Sequence, residues 1–109
     1  MDTGGTLHSL IAVPTDHPAF AGHFPKVPVL PGAVLLDQVL ATIESQRGID
    51  LTQWRIASAK FLGPVRPGDA VHLEHEVSKD GSIRFTLSSA NGKVAGGSLS
   101  NAVSPAGFP

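Results

Sequence analysis

The clearest pattern in the chain is a change of period. From Pro31 to Gly48, "PGAVLLDQVLATIESQRG", apolar residues recur at helical spacing. Gly32, Leu35, Leu36, Val39, Leu40 and Ile43 fall on one broad stripe at ~100° per residue. Pro31 suits the first helical position, where its missing N–H is harmless, and Gly48 suits the position just past the last turn. Val34 and Ala41 carry small and apolar character to the far side. The pattern therefore predicts a helix over 31–47 that is covered nearly all round.

Downstream the period falls to two. "VHLEHEV" (71–77) puts Val71, Leu73, His75 and Val77 on one face and His72, Glu74 and Glu76 on the other. "SIRFTLS" (82–88) turns Ile83, Phe85 and Leu87 inward. Asp80-Gly81 and Asn91-Gly92 are hairpin signals, the second leading into a last strand at about 93–102. Within that strand Gly96-Gly97 marks a bulge or a close backbone approach. "WRIASAKFL" (54–62) reads as a strand that ends at Gly63-Pro64, followed by a turn at Pro67-Gly68. Ahead of the helix, "TLHSLIAV" (6–13) reads as a strand and 14–24 as irregular chain with a short helical turn at 17–21. Residues 104–109 read as a loose tail. One strand, one buried helix and a run of antiparallel strands make an α+β layout in a single domain over 1–109.

Composition narrows the function. A chain of 109 residues buries a little over ~60% of its unfolded surface. That supports one modest core, so a deep pocket would borrow a wall from a second subunit. A net charge of −1, with eight lysines and arginines placed singly along the sequence, argues against nucleic-acid binding. The absence of cysteine excludes disulfides, thiolate catalysis and cysteine-held metal. His72 and His75, three apart on a strand, point to opposite faces and do not make a metal pair. "MDTGGTLHSLIAV" lacks the basic and apolar regions of a signal peptide, and no apolar run approaches the ~20 residues of a membrane span. The expectation is a cytoplasmic protein with no metal and no cofactor.

The chemistry concentrates in "GHFPKVPVLPGAVLLD" (22–37). Pro25, Pro28 and Pro31 stiffen a spacer between a histidine, His23, and an aspartate, Asp37, that interrupts an apolar run. This segment resembles the signature of the hotdog-fold β-hydroxyacyl-acyl carrier protein dehydratases. In that family a Gly-His-Phe segment and a Pro-rich loop lead to a Pro-Gly helix start and then an acidic helix residue. The His-to-acid spacing, 37 − 23 = 14, matches. "DHPAFAGHF" resembles the family's approach to its histidine, and "KFLGPVRPGDAVHLEHEV" (60–77) more loosely resembles a shared sheet segment. The sequence departs from the pattern at Lys26, where the family usually has glycine, and at Asp37, where many members have glutamate.

The resemblance implies a curved antiparallel sheet wrapped around one central helix. It also implies dehydration of (3R)-hydroxyacyl thioesters to trans-2-enoyl thioesters in fatty-acid or polyketide-type biosynthesis. Such a reaction takes a proton from C2 while the C3 oxygen leaves protonated, so it needs a base and an acid at adjacent carbons, each typically worth ~10²–10⁴ in rate. The family assigns these parts to His23 and Asp37, with the histidine of one subunit meeting the acid of the other. Histidine is basic and neutral near pH 7. A carboxyl in a dry, acyl-lined tunnel is held toward its proton-donating form. The N–H groups of Gly32 and Ala33 at the helix start suit the thioester oxygen as it gains charge. Phe24 and Pro31 belong to the same substrate site. Lys26 and, less directly, Arg66 are placed to meet an acidic acyl carrier protein. The implied assembly is a homodimer or a trimer of dimers. A hotdog thioesterase using Asp37, or a non-catalytic acyl-binding module, are the alternatives.

Overall fold

The computed structural model describes residues 5–13 and 30–101. The helical turn expected at 17–21 and the tail at 104–109 lie outside the described residues. Strand β1 (Leu7–Ala12) precedes helix α1 (Gly32–Arg47). Strands β2 (Trp54–Phe61), β3 (Ala70–Val77), β4 (Ile83–Ser89) and β5 (Gly92–Asn101) follow. They form one five-stranded sheet in the order β1-β3-β4-β5-β2, antiparallel throughout. The two strands that flank α1 in sequence are therefore the two edges of the sheet, and the β3-β4-β5 meander fills its centre.

Alternation sets the core. Val71, Leu73 and His75 from β3, Ile83, Phe85 and Leu87 from β4, and Ala95 and Leu99 from β5 are buried on one face. Leu35, Val39 and Ile43 of α1 join them at i, i+4 and i+8, with Leu36 and Leu40 partly buried alongside. The helix is not covered all round within one chain. Ala33, Asp37 and Ala41, on the side away from the sheet, are exposed. The helix also starts one residue later than expected. Pro31, at φ −59° and ψ 143°, is the cap rather than the first helical residue, and Gly48 ends the helix with φ 65°.

Two local features differ from simple alternation. In β2 the register shifts between Ile56 and Ser58, so Ala57 is an extra residue and the inward set changes parity along the strand. In the second hairpin Ser89 pairs with Gly92, which puts Ala90 and Asn91, not Asn91 and Gly92, in the two-residue loop. The bulge expected at Gly96-Gly97 lies instead opposite the Leu87/Ser88 step. The close approach expected there is real at Gly97. A Cβ at that position would press on the Ser58 carbonyl oxygen and stand 2.7 Å from Phe85 Cζ. Gly97→Ala should therefore push β2 off β5 or displace the Phe85 ring, costing about 1–3 kcal/mol. An unchanged denaturation midpoint would show that β2 can shift at no cost.

Candidate active site

The start of α1 is built from three constraints. Leu30 N–H donates to Val65 O at 2.7 Å, which ties the approach to the helix to the segment after β2. Pro31 then fixes its own φ, and its carbonyl accepts from Val34 and Leu35 N–H at 3.0 and 3.1 Å. That leaves the N–H groups of Gly32 and Ala33 without an acceptor among the described residues. Open donors at a helix N-terminus suit a developing oxyanion.

Gly32 makes room for a neighbour within the chain. A Cβ there would lie 3.0 Å from Phe61 Cζ, so the Phe61 ring of β2 occupies the space that the missing side chain leaves. Phe61 is itself half exposed. On that side the space beside Gly32 is filled by the chain's own aromatic ring. Phe61 is thus a residue of the candidate site that sequence reading missed. Its only signal was its place in "KFLGPV".

Asp37 lies one turn beyond Ala33, and Ala41 one turn further, in a single exposed row. Two alanines on either side leave the carboxylate open to anything that covers this face. Its neighbour Gln38 has a side-chain oxygen that is buried with no hydrogen-bond partner among the described residues. Arg66 is exposed in the turn that follows Val65, where Asp69 Oδ2 accepts from Arg66 N–H at 2.8 Å and Gly68 takes φ 85°. The structure so brings together Pro31, Gly32, Ala33 and Arg66 at one end of α1, with Asp37 a turn along. His23, Phe24 and Lys26 lie outside the described residues.

A second polar cluster closes the other end of the helix. His75, 1% exposed on the inner face of β3, accepts from Arg47 Nε at 2.9 Å through Nδ1. Its Nε2 then carries the hydrogen and donates to Gln46 Oε1 at 2.7 Å. Arg47 also donates to the carbonyls of His75 and Gly5, both at 3.1 Å, and Gln46 Nε2 donates to His8 O at 2.9 Å. Two side chains from the last turn thus tie β1 and β3 together. Burial, then the Arg47 and His8 charges, lower the His75 pKa to about 4, so it is neutral here. His72 is exposed on the opposite face, 3.1 Å from His8 Nδ1 through Nε2. No cluster of three or more metal-ligating side chains occurs among the described residues.

Helix and sheet together define a hotdog fold: one helix held against a curved five-stranded antiparallel sheet. Among solved structures, the dehydratase heterocomplex ApeI:P from Xenorhabdus doucetiae shares it. That likeness has a TM-score of 0.72 over 91% of this chain and 88% of that one, at 21% identity. The model of the ApeI-like family, described as ApeI dehydratase, matches residues 2–98, and the chain belongs to that family. Curated relatives agree with the dehydratase resemblance. The 3-hydroxyacyl-(acyl-carrier-protein) dehydratase FabZ of Colwellia psychrerythraea is 36% identical over 89 residues, 72% of this chain and 59% of that protein. FabZ of Haemophilus ducreyi is 35% identical over 106 residues, 86% of this chain and 69% of that protein. The chain thus spans only about three fifths of the first of these relatives. No helix among the described residues is long and apolar enough to cross a membrane.

Proposed function

We propose that the protein is a hydro-lyase that converts (3R)-hydroxyacyl thioesters on an acyl carrier protein to trans-2-enoyl thioesters. One observation carries the reading. In a chain of a dehydratase family, an exposed acidic side chain, Asp37, stands one helical turn from two backbone donors that have no acceptor among the described residues. In the proposed step His23 takes the C2 proton as the C2–C3 double bond forms. Asp37, entering the step as the carboxylic acid, gives its proton to the departing C3 hydroxyl, which leaves as water while Asp37 becomes the carboxylate. Gly32 and Ala33 N–H hold the thioester oxygen while it carries charge. Phe61 shields these donors from one side, and Phe24 and Pro31 complete the acyl site.

The reading needs a second subunit. The row Ala33–Asp37–Ala41 is uncovered, and β2 is an edge strand on which Arg55 to Phe61 are all exposed. Ile56, Phe61 and Leu62 are roughly half exposed there. A homodimer, alone or as three dimers together, would cover these surfaces and bring the partner's histidine to Asp37. The cysteine-free sequence fits a cytoplasmic setting. Incubation with 3-hydroxyacyl and 2-enoyl thioesters tests the reading. Interconversion is expected. Release of free thiol would instead make the protein a thioesterase, and inertness toward both would make it a binding module.

A further inference from the structure

Four cations, from β2, the turn after it, β4 and β5, come together on this fold. Lys60, Arg66, Arg84 and Lys93 are half of the chain's eight lysines and arginines. Lys60 and Arg84 line a groove of about 470 Å³ on the sheet face opposite α1, together with Lys93 and the hydroxyls of Ser58, Thr86 and Ser98. Register explains its floor. Thr86, Gly96 and Lys60 form one row across β4, β5 and β2, and Gly96 leaves the middle of that row without a side chain. Around the end of the sheet a second groove, of about 250 Å³, is lined by Arg66, Lys93, Leu62 and Asn91. Lys93 belongs to both, so the basic surface is continuous from the outer face to Arg66. Arg66 follows Val65, whose carbonyl holds Leu30 just before the start of α1.

None of these four side chains has an ion pair or hydrogen bond among the described residues; Arg66 bonds only through its backbone. All four are exposed. Acidic residues border the strip rather than fill it. Glu76 pairs across from Arg84 and Glu74 from Thr86, Asp80 feels the Arg84 charge, and Asp69 lies in the Arg66 turn. In a protein of net charge −1, this is a local excess of positive charge with its own boundary.

We propose that the strip Arg66–Lys93–Lys60–Arg84 is the docking surface for the acidic carrier protein that delivers the substrate. The proposal rests on the dehydratase reading. The cations spread over two grooves instead of converging on one point, which fits an extended acidic surface better than a single phosphate. One end of the strip reaches the helix start, where a tethered thioester must enter. Charges of this kind act mainly on encounter, and salt screens them.

The Lys60→Glu/Lys93→Glu double variant tests this, since neither residue belongs to the catalytic site. Its KM for a carrier-linked thioester should rise about tenfold at low salt, with the difference shrinking at high salt. Turnover of a small pantetheine thioester without carrier should be unchanged. An unchanged KM for the carrier-linked substrate would overturn the docking surface while leaving the dehydratase reading intact. If the wild-type protein turns over neither thioester, the dehydratase reading fails, and direct binding of an acidic acyl carrier protein decides the strip alone. Equal binding by wild type and variant would overturn it; binding lost in the variant would uphold it.

Discussion

His23→Ala and Asp37→Asn are each expected to lower turnover by roughly 10²–10⁴, the range for a lost acid or base. The double variant should cost far less than the product of the two, because groups that act in one step are not additive. Neither change should unfold the protein. Asp37 is exposed and lies outside the packed set of α1, so the core does not depend on it. The decisive version mixes the two inactive single variants and lets subunits exchange. If the site pairs His23 of one chain with Asp37 of the other, a mixed dimer has one complete site and one empty of both. Activity should return toward one working site per mixed dimer. Sedimentation must first show two or six copies rather than a folded monomer. Verified exchange with no recovered activity would place both residues within one chain, or leave Asp37 with a structural role.

The second large effect concerns acid. His75 is neutral in the folded protein, with its pKa lowered to about 4 by burial and by Arg47, against an ordinary value of 6.5. Protonating it would place two cations together and remove the acceptor of the Arg47 Nε–H bond. The sign follows from proton counting. Between pH 6.5 and 4 the unfolded chain binds this proton and the folded chain does not. Stability from this group is thus complete above about pH 6.5 and is lost as pH falls toward 4. Allowing for solvent near the cluster, the loss should be on the order of 2 kcal/mol. His75→Gln cannot take up the proton. It should be less stable at pH 7, because the Arg47 bond is changed, yet show a flatter decline from pH 7 to 4.5. Equal slopes for both proteins in denaturant titrations would mean that another group takes up the proton.

Much of the fold was legible because it rests on local pattern. Alternation in β3 and β4, and the apolar stripe of α1, report burial directly, and the structure places Val71, Leu73, Ile83, Phe85, Leu35 and Val39 in the core as expected. In β2 the pattern is broken by the extra residue Ala57. The parity change hides that Lys60 and Phe61 serve opposite faces of the sheet. Helical position made Asp37 visible as a polar interruption. Nothing local announced the Phe61 ring over Gly32, the Arg47–His75 tie or the gathering of four cations, since each depends on residues that only strand order brings together. Read singly along the sequence, those lysines and arginines look scattered; folding makes them a surface.

The exposed β2 edge also bears on how the single chain avoids self-association. An exposed edge strand that pairs on one side only among the described residues, with Ile56 and Phe61 about half exposed, is a template for indiscriminate strand addition. The same strand carries devices that natural edges use against this: a bulge at Ala57 that breaks its regular ladder, and Arg55 and Lys60, which put charge along it. In the proposed dimer the strand that would pair with a second copy would thus also carry the features that oppose indiscriminate pairing. A substitution that removed the bulge or those charges would show its cost first as lost yield of soluble protein, before any defect in chemistry.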